Sequence, residues 1–160
     1  MNLIGDSWIP VIFENTTRKY VGLKEIFENA TIIHDLSLAP PQRIAITRLL
    51  LCITQAALDG PTDEDDWLKC KELIVRKSIE YLNKRINLFE LYGEHPFLQV
   101  KEMKFTGNAT LDNLDFGLAS GNNSTLFDHG GTLEGRSHAD GWIALQLLTY
   151  QNFSPAGRIG

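Results

Sequence analysis

A long apolar segment behind two consecutive prolines limits the folds open to this chain more than any other feature. Pro40 and Pro41 suit the first turn of a helix, where their missing N–H groups are not needed. Asp59-Gly60-Pro61 ends the pattern, so we predict a helix over Pro41–Leu58. Apolar residues recur in it every seven positions, at Ile44, Leu51 and Leu58. Because other apolar residues occupy its remaining sides, the sequence indicates a buried central helix.

Two more helices are predicted downstream. The first covers Asp63–Arg85 with a possible break; Thr62 can cap it, and Asp65 stands at the capping-box spacing. Its basic residues are Lys69, Lys71, Arg76, Lys77, Lys84 and Arg85. A charged helical face is usually only solvated, and a stripe that contacts phosphate groups is the alternative. The second helix covers Trp142–Phe153.

The first residues predict a β-hairpin. An alternating segment around Trp8, Val11 and Phe13 is followed by a polar loop and by a return strand at Lys19-Tyr20-Val21. One helical turn then places Leu23, Ile26 and Phe27 on one face. We therefore expect an α+β fold, in which an N-terminal β-hairpin packs on a mainly helical core with long loops. Residues 106–140 hold the longest polar stretch.

Composition narrows the class of protein. Of the 160 residues, 43% are hydrophobic and 22% are charged, which is enough apolar material for a core. A protein that binds nucleic acid by itself normally has a basic surface, whereas this chain has a net charge of -5. Any DNA contact must therefore be made by a local loop or through partners. The opening lacks a secretory signal, and the longest apolar run, Leu49–Ile53, is far below the ~20 residues of a membrane span. We expect a soluble, cytoplasmic protein without a membrane partner.

No pattern for catalysis or for a cofactor stands out. The histidines, His34, His95, His129 and His138, are scattered. Cys52 and Cys70 lie in apolar helical patterns and are expected to be reduced core thiols, with a disulfide between them as the alternative. The sequence holds no C-x-x-C, H-E-x-x-H or G-K-[ST] motif, and the stretch around Ser120 lacks the leading glycine of a nucleophile elbow. We predict no metal, cofactor or catalytic residue; a hydrolase that uses His129 or His138 is a distant alternative.

Several short motifs follow one another in a fixed order. Residues 2–11 read N-L-I-G-D-S-W-I-P-V, and residues 94–99 read E-H-P-F-L-Q. The other segments are Leu38–Pro40, Ala45–Leu58, Ser120–Asn122, Leu126–His129 and Ala144–Gln151. Together they resemble the CasA family, which opens with N-L-[IL]-x-D-x-W-I-P-V and contains E-H-P-F-[LM]-Q. The resemblance covers nearly the whole chain, although Thr62–Asn87 has no residue-by-residue match.

The resemblance implies a piece of a larger protein. CasA proteins are several times longer, so residues 1–160 are expected to be the N-terminal part of a large N-terminal domain, without the family's C-terminal helical bundle. The family is the large subunit of the type I-E CRISPR Cascade surveillance complex and acts by binding. The implied partners are the other Cascade subunits, the CRISPR RNA 5′ handle, double-stranded target DNA beside its PAM, and a helicase-nuclease.

Two loops of the family map onto this sequence. The loop that meets the RNA handle and neighbouring subunits corresponds to Phe127, Asp128 and His129. An exposed aromatic ring there suits stacking on a splayed base, but Phe127 can equally anchor the loop in a small core. The loop that enters the PAM minor groove corresponds to Gly157, Arg158 and Gly160. Glycine lets backbone approach base edges, and arginine can contact phosphate.

Other interpretations of these loops remain open. Gly157 can also be a plain turn residue after Pro155. The alternative function is a structural module that docks a partner protein without direct DNA contact, and whose loops order only on assembly.

Overall fold

The computed structural model describes residues 1–102, 111–115 and 137–153. Its strands are β1 (Ile9–Phe13), β2 (Arg18–Val21) and β3 (Ile33–Leu36). Its α-helices are α1 (Leu23–Glu28), α2 (Pro40–Leu58), α3 (Glu64–Cys70), α4 (Ile74–Lys84) and α5 (Asp140–Phe153). Short 3₁₀ turns lie at Lys71–Leu73, Ile86–Phe89 and Leu111–Leu114. The α+β prediction is confirmed.

The sheet has three antiparallel strands in the order β2-β1-β3. The predicted hairpin is β1 with β2, in which Ile9 lies opposite Val21. Strand β3 was not predicted, because its four residues include His34 and Asp35 and show no clear alternation. It pairs with the other edge of β1, with a register shift between Ile12 and Phe13.

Helix α1 packs on α4 and shares one hydrophobic core with the hairpin. Leu23, Ile26 and Phe27 are all buried, as the sequence predicts. The inward side chains of β1, Ile9 and Val11, are fully buried in the same cluster. Burying apolar area of this kind is the main favourable term in folding.

An ion pair joins the sheet to the first turn of α2. The Arg43 guanidinium donates to both carboxylate oxygens of Asp35, at 2.5 and 3.1 Å, and to the carbonyl of Leu36 at 2.8 Å. The hydrogen bond from Arg43 lowers the pKa of Asp35 below its ordinary value. The bidentate geometry fixes orientation more than it adds stability, because both side chains are exposed.

Helix α2 matches its predicted bounds but not its predicted burial. Only Ala45, Ile46 and Ile53 are buried, whereas Ile44 is 48% exposed and Leu51 is 62% exposed. The reason is geometric: α2 packs on α4 and α5, and the seven-residue series lies on the opposite side. Asp59, in the left-handed region at φ 56°, ends the helix.

The predicted helix over Asp63–Arg85 is broken, as anticipated, by the 3₁₀ turn at Lys71–Leu73. Its cap is Asp63, whose Oδ1 accepts a hydrogen bond from the N–H of Asp66 at 2.8 Å. The prediction that Thr62 caps the helix is therefore wrong by one residue. Asp63 serves because its carboxylate reaches the third backbone N–H of a helix that begins at Glu64.

The two cysteines are free, but they are not core thiols. Cys52 is exposed and Cys70 is half-buried. Cys52 lies next to Leu51 on the outer side of α2, and α3 has no buried residue. Within the described residues, no helix is long and apolar enough to cross a membrane.

Candidate nucleic-acid interface

The residues predicted to touch nucleic acid all lie outside the described residues. They are Phe127, Asp128, His129, Gly157, Arg158 and Gly160. Both groups flank α5, since the first precedes Asp140 and the second follows Phe153. For this site, the structure therefore describes the position of α5, the helix that lies between the two groups in the sequence.

The start of α5 is fixed by side-chain contacts. The Tyr92 hydroxyl donates a hydrogen bond to Asp140 Oδ1 at 2.9 Å. Partial desolvation, and then the carboxylate of Asp140, raise the pKa of Tyr92 above its ordinary value. The His138 ring stacks on Trp142 with centroids 3.9 Å apart and planes 12° from parallel. These contacts hold the entry to the helix in one orientation.

The first turn of α5 lies close to Trp8, the residue just before β1. Trp8 is 1% exposed, and its Nε1 donates to the carbonyl of Leu3 at 2.9 Å. A Cβ added to Gly141 would lie 3.1 Å from the Trp8 Cβ, which is tighter than ordinary contact. Gly141 thus lets the first turn of α5 rest directly on Trp8.

The body of α5 packs on α2 through buried Ala144, Leu145 and Leu148. Buried Gln146 accepts a long hydrogen bond of 3.5 Å from Gln42 on α2. At the other end Tyr150 and Phe153 are exposed. The helix is therefore anchored at its start and open at the end from which residues 154–160 continue.

The opening motif segment and the E-H-P-F-L-Q string are linked through Phe89–Leu91. The N–H of Leu3 donates to the carbonyl of Phe89 at 2.9 Å, and the N–H of Leu91 donates to the carbonyl of Met1 at 3.0 Å. Phe89 also stacks on Phe97 of the E-H-P-F-L-Q string, with centroids 5.8 Å apart. These contacts of the first segment and of Phe97 hold the N-terminus against the centre of the chain.

A cavity of about 420 Å³ lies beside the start of α5. Trp8, Tyr20 and Trp142 line it, together with Gln42 of α2. None of its lining residues is Lys, Arg, Asp, Glu or His. A neutral, apolar group therefore suits this cavity better than a phosphate.

The described residues contain no group of three or more His, Cys, Asp and Glu side chains arranged to hold a metal ion. Of the two histidines named for the hydrolase alternative, His138 stacks on Trp142 and His129 lies outside the described residues.

The family model described as CRISPR-associated protein Cse1 matches residues 2–160. The chain belongs to the Cse1 family. A CasA/Cse1 protein of Thermus thermophilus is 35% identical over 98% of this chain, which corresponds to 32% of that relative. The resemblance to CasA is therefore confirmed.

Solved structures of the Cse1 family share the fold. Thermobifida fusca Cse1 superposes with a TM-score of 0.78 at 27% identity, over 93% of this chain and 29% of that one. A chain of a CRISPR RNA-guided surveillance complex in a pre-nicking state superposes with a TM-score of 0.77, over 94% of this chain and 33% of that one. At 18% identity, this second likeness shows the fold alone. The chain spans about a third of the length of these relatives.

Proposed function

We propose that this chain is the N-terminal part of a nucleic-acid surveillance subunit of a type I-E CRISPR Cascade complex. The observation that supports this most is the match of the Cse1 family model to residues 2–160. In this role the protein contributes to PAM recognition, lies next to the CRISPR RNA 5′ handle on target DNA, and helps to recruit the helicase-nuclease. It works with other Cascade subunits in the cytoplasm and supplies no catalytic group.

The anchored position of α5 supports a role in presenting both predicted loops. A helix held at its start by Trp8 and Tyr92 gives a fixed origin to the segment after Phe153. Gly157 and Gly160 would let backbone groups approach base edges in the minor groove, where little besides the A·T or G·C class can be read. Arg158 would contact a phosphate, while Phe127, Asp128 and His129 would face the RNA handle.

Replacing Gly157 or Gly160 with aspartate in the assembled complex is expected to abolish the preference for PAM-containing duplex. A carboxylate at either position repels the phosphates and blocks the close approach of the backbone to the groove. The measurement is a gel shift at several salt concentrations, with duplexes that differ only in the PAM.

Gly5→Asp is the matched control for these variants. It adds the same charge at an exposed position where a Cβ would meet nothing within 4 Å. The control should keep the PAM preference. A complex that assembles with either glycine variant and still prefers the PAM would favour the purely structural docking module instead.

A further inference from the structure

We propose that one face of α4 binds the phosphodiester backbone of a nucleic acid. This face, the α4 strip, consists of Lys77, Tyr81 and Lys84 of α4 together with Arg85, which follows the helix directly. The strip is separate in sequence from the two predicted loops. The inference rests on the proposed function only in that nucleic acid must be present near the subunit. Its ligand chemistry is a chain of phosphate groups, which RNA and DNA share.

The spacing of the α4 strip follows the helix. Lys77, Tyr81 and Lys84 share one face of α4, and the contact with Tyr81 places Arg85, the residue just after the helix, beside them. Together with Glu80, whose carboxylate is paired with Arg76 and Lys77, they line a recess of about 200 Å³ whose other wall is Ala56 and Ala57 of α2. Because those two side chains are small, a phosphate oxygen can enter between the helices and reach the lysine and arginine groups.

Arg85 is held in a conformation that suits phosphate. Its guanidinium carbon lies 4.2 Å from the centroid of the Tyr81 ring, in a cation–π contact. A guanidinium that lies over an aromatic ring can still donate from the N–H groups at its edge. An arginine that is already ordered loses less entropy when it forms two parallel hydrogen bonds to a phosphate.

The charge around the α4 strip is opposite to that of the chain. Ile74–Phe89 contains four basic residues and one acidic residue, a formal charge of +3, whereas the whole chain carries -5. Arg76 and Lys77 share Glu80 as an ion-pair partner, at 3.2 and 4.0 Å. Lys84 and Arg85 form no ion pair with a carboxylate among the described residues. A local excess of unpaired cations on an acidic protein favours contact with phosphate.

A structural role is the competing explanation. The recess adjoins the last turn of α2, and cations near a helix C-terminus stabilise it by interacting with its dipole. In that case neutralising Lys84 and Arg85 lowers the melting temperature but leaves nucleic-acid binding unchanged. The structural role therefore predicts a change in melting temperature alone, whereas the binding role predicts a change in nucleic-acid binding.

The test measures binding of the 160-residue chain against salt concentration, with a single-stranded RNA and with a duplex DNA that lacks a PAM. For the variant Lys84→Gln/Arg85→Gln, the negative slope of log K against log salt is expected to become less steep, by about 1.4 for the RNA or about 1.8 for the duplex. Either change corresponds to the loss of two phosphate contacts. A change in one arm alone identifies which nucleic acid the strip binds. Each single substitution should give about half the effect.

Lys19→Gln/Lys24→Gln is the matched control, because it removes the same net charge from residues that are paired with Glu25 and Glu28. Its slopes should stay at the wild-type values. The inference is overturned if the α4 variant keeps the wild-type slopes in both arms, if the control changes them equally, or if only the melting temperature falls. Failure of the proposed function would give a different result. The complex would show no preference for the PAM, but the salt slopes measured with PAM-free probes would not change.

Discussion

Gly22→Ala is expected to destabilise the protein by about 3 kcal/mol, with a fall in melting temperature of roughly 10 °C. A Cβ on Gly22 would lie 2.5 Å from the carbonyl oxygen of Ile4 and 3.0 Å from that of Asp6. Both atoms belong to backbone, so no side chain can rotate away. The turn between Leu3 and Asp6 would have to move, although the N–H groups of Leu23 and Lys24 bond to it. A thermal or urea melt measures the effect.

Gly5→Ala serves as the control for this change. Gly5 belongs to the same turn, but a Cβ there would meet nothing within 4 Å. Its melting temperature should remain within about 2 °C of the wild-type value, since isolated surface substitutions usually cost under half a kcal/mol. Equal melting temperatures for the two variants would contradict the described packing of the N-terminal turn on α1.

Trp8→Ala is expected to cost about 3–5 kcal/mol, as for other large buried aromatic side chains. Trp8 is fully enclosed, its indole N–H satisfies the carbonyl of Leu3, and Gly141 lies directly on it. Losing the ring enlarges the cavity that Trp8 lines together with Gly141, Trp142 and Leu145 of α5. Amide hydrogen exchange should therefore become faster at Gly141–Leu145 than in α1, in addition to the lower global stability.

Trp67→Ala is the comparison for Trp8. Trp67 is 42% exposed on α3, a helix with no buried residue, so its loss should cost less than about 1 kcal/mol. Exchange at the start of α5 should not change in this variant. If the Trp8 variant melted like the Trp67 variant, α5 would not depend on the contact described here.

The elements with local signals were predicted well from the sequence. The hairpin and α1 follow from alternation and from one turn of helical spacing, and α2 follows from its prolines and its stop at Asp59. Burial around α2 was predicted wrongly, because apolar periodicity does not tell which side of a helix meets its neighbours. Strand β3 was missed because it depends on pairing with β1 rather than on its own four residues.

The site could be predicted only in part, for a related reason. The resemblance locates the two loops along the chain, but it says nothing about what fixes the helix between them. Tyr92 and Asp140 are 48 residues apart, and Trp8 and Gly141 are farther still. Such contacts arise from tertiary packing and leave little trace in the local sequence. Gly141, in the first turn of α5, is a local feature that indicates the contact with Trp8.

Photocrosslinking from position 159 tests most directly whether the segment after α5 reads DNA. A benzophenone amino acid would replace Ile159 in the assembled complex, between Arg158 and Gly160. With bound target duplex, the expected product is a crosslink to the DNA at the PAM. Crosslinks only to buried residues of the same chain, in a complex that still binds its target, would contradict the proposed inspection of DNA by this segment.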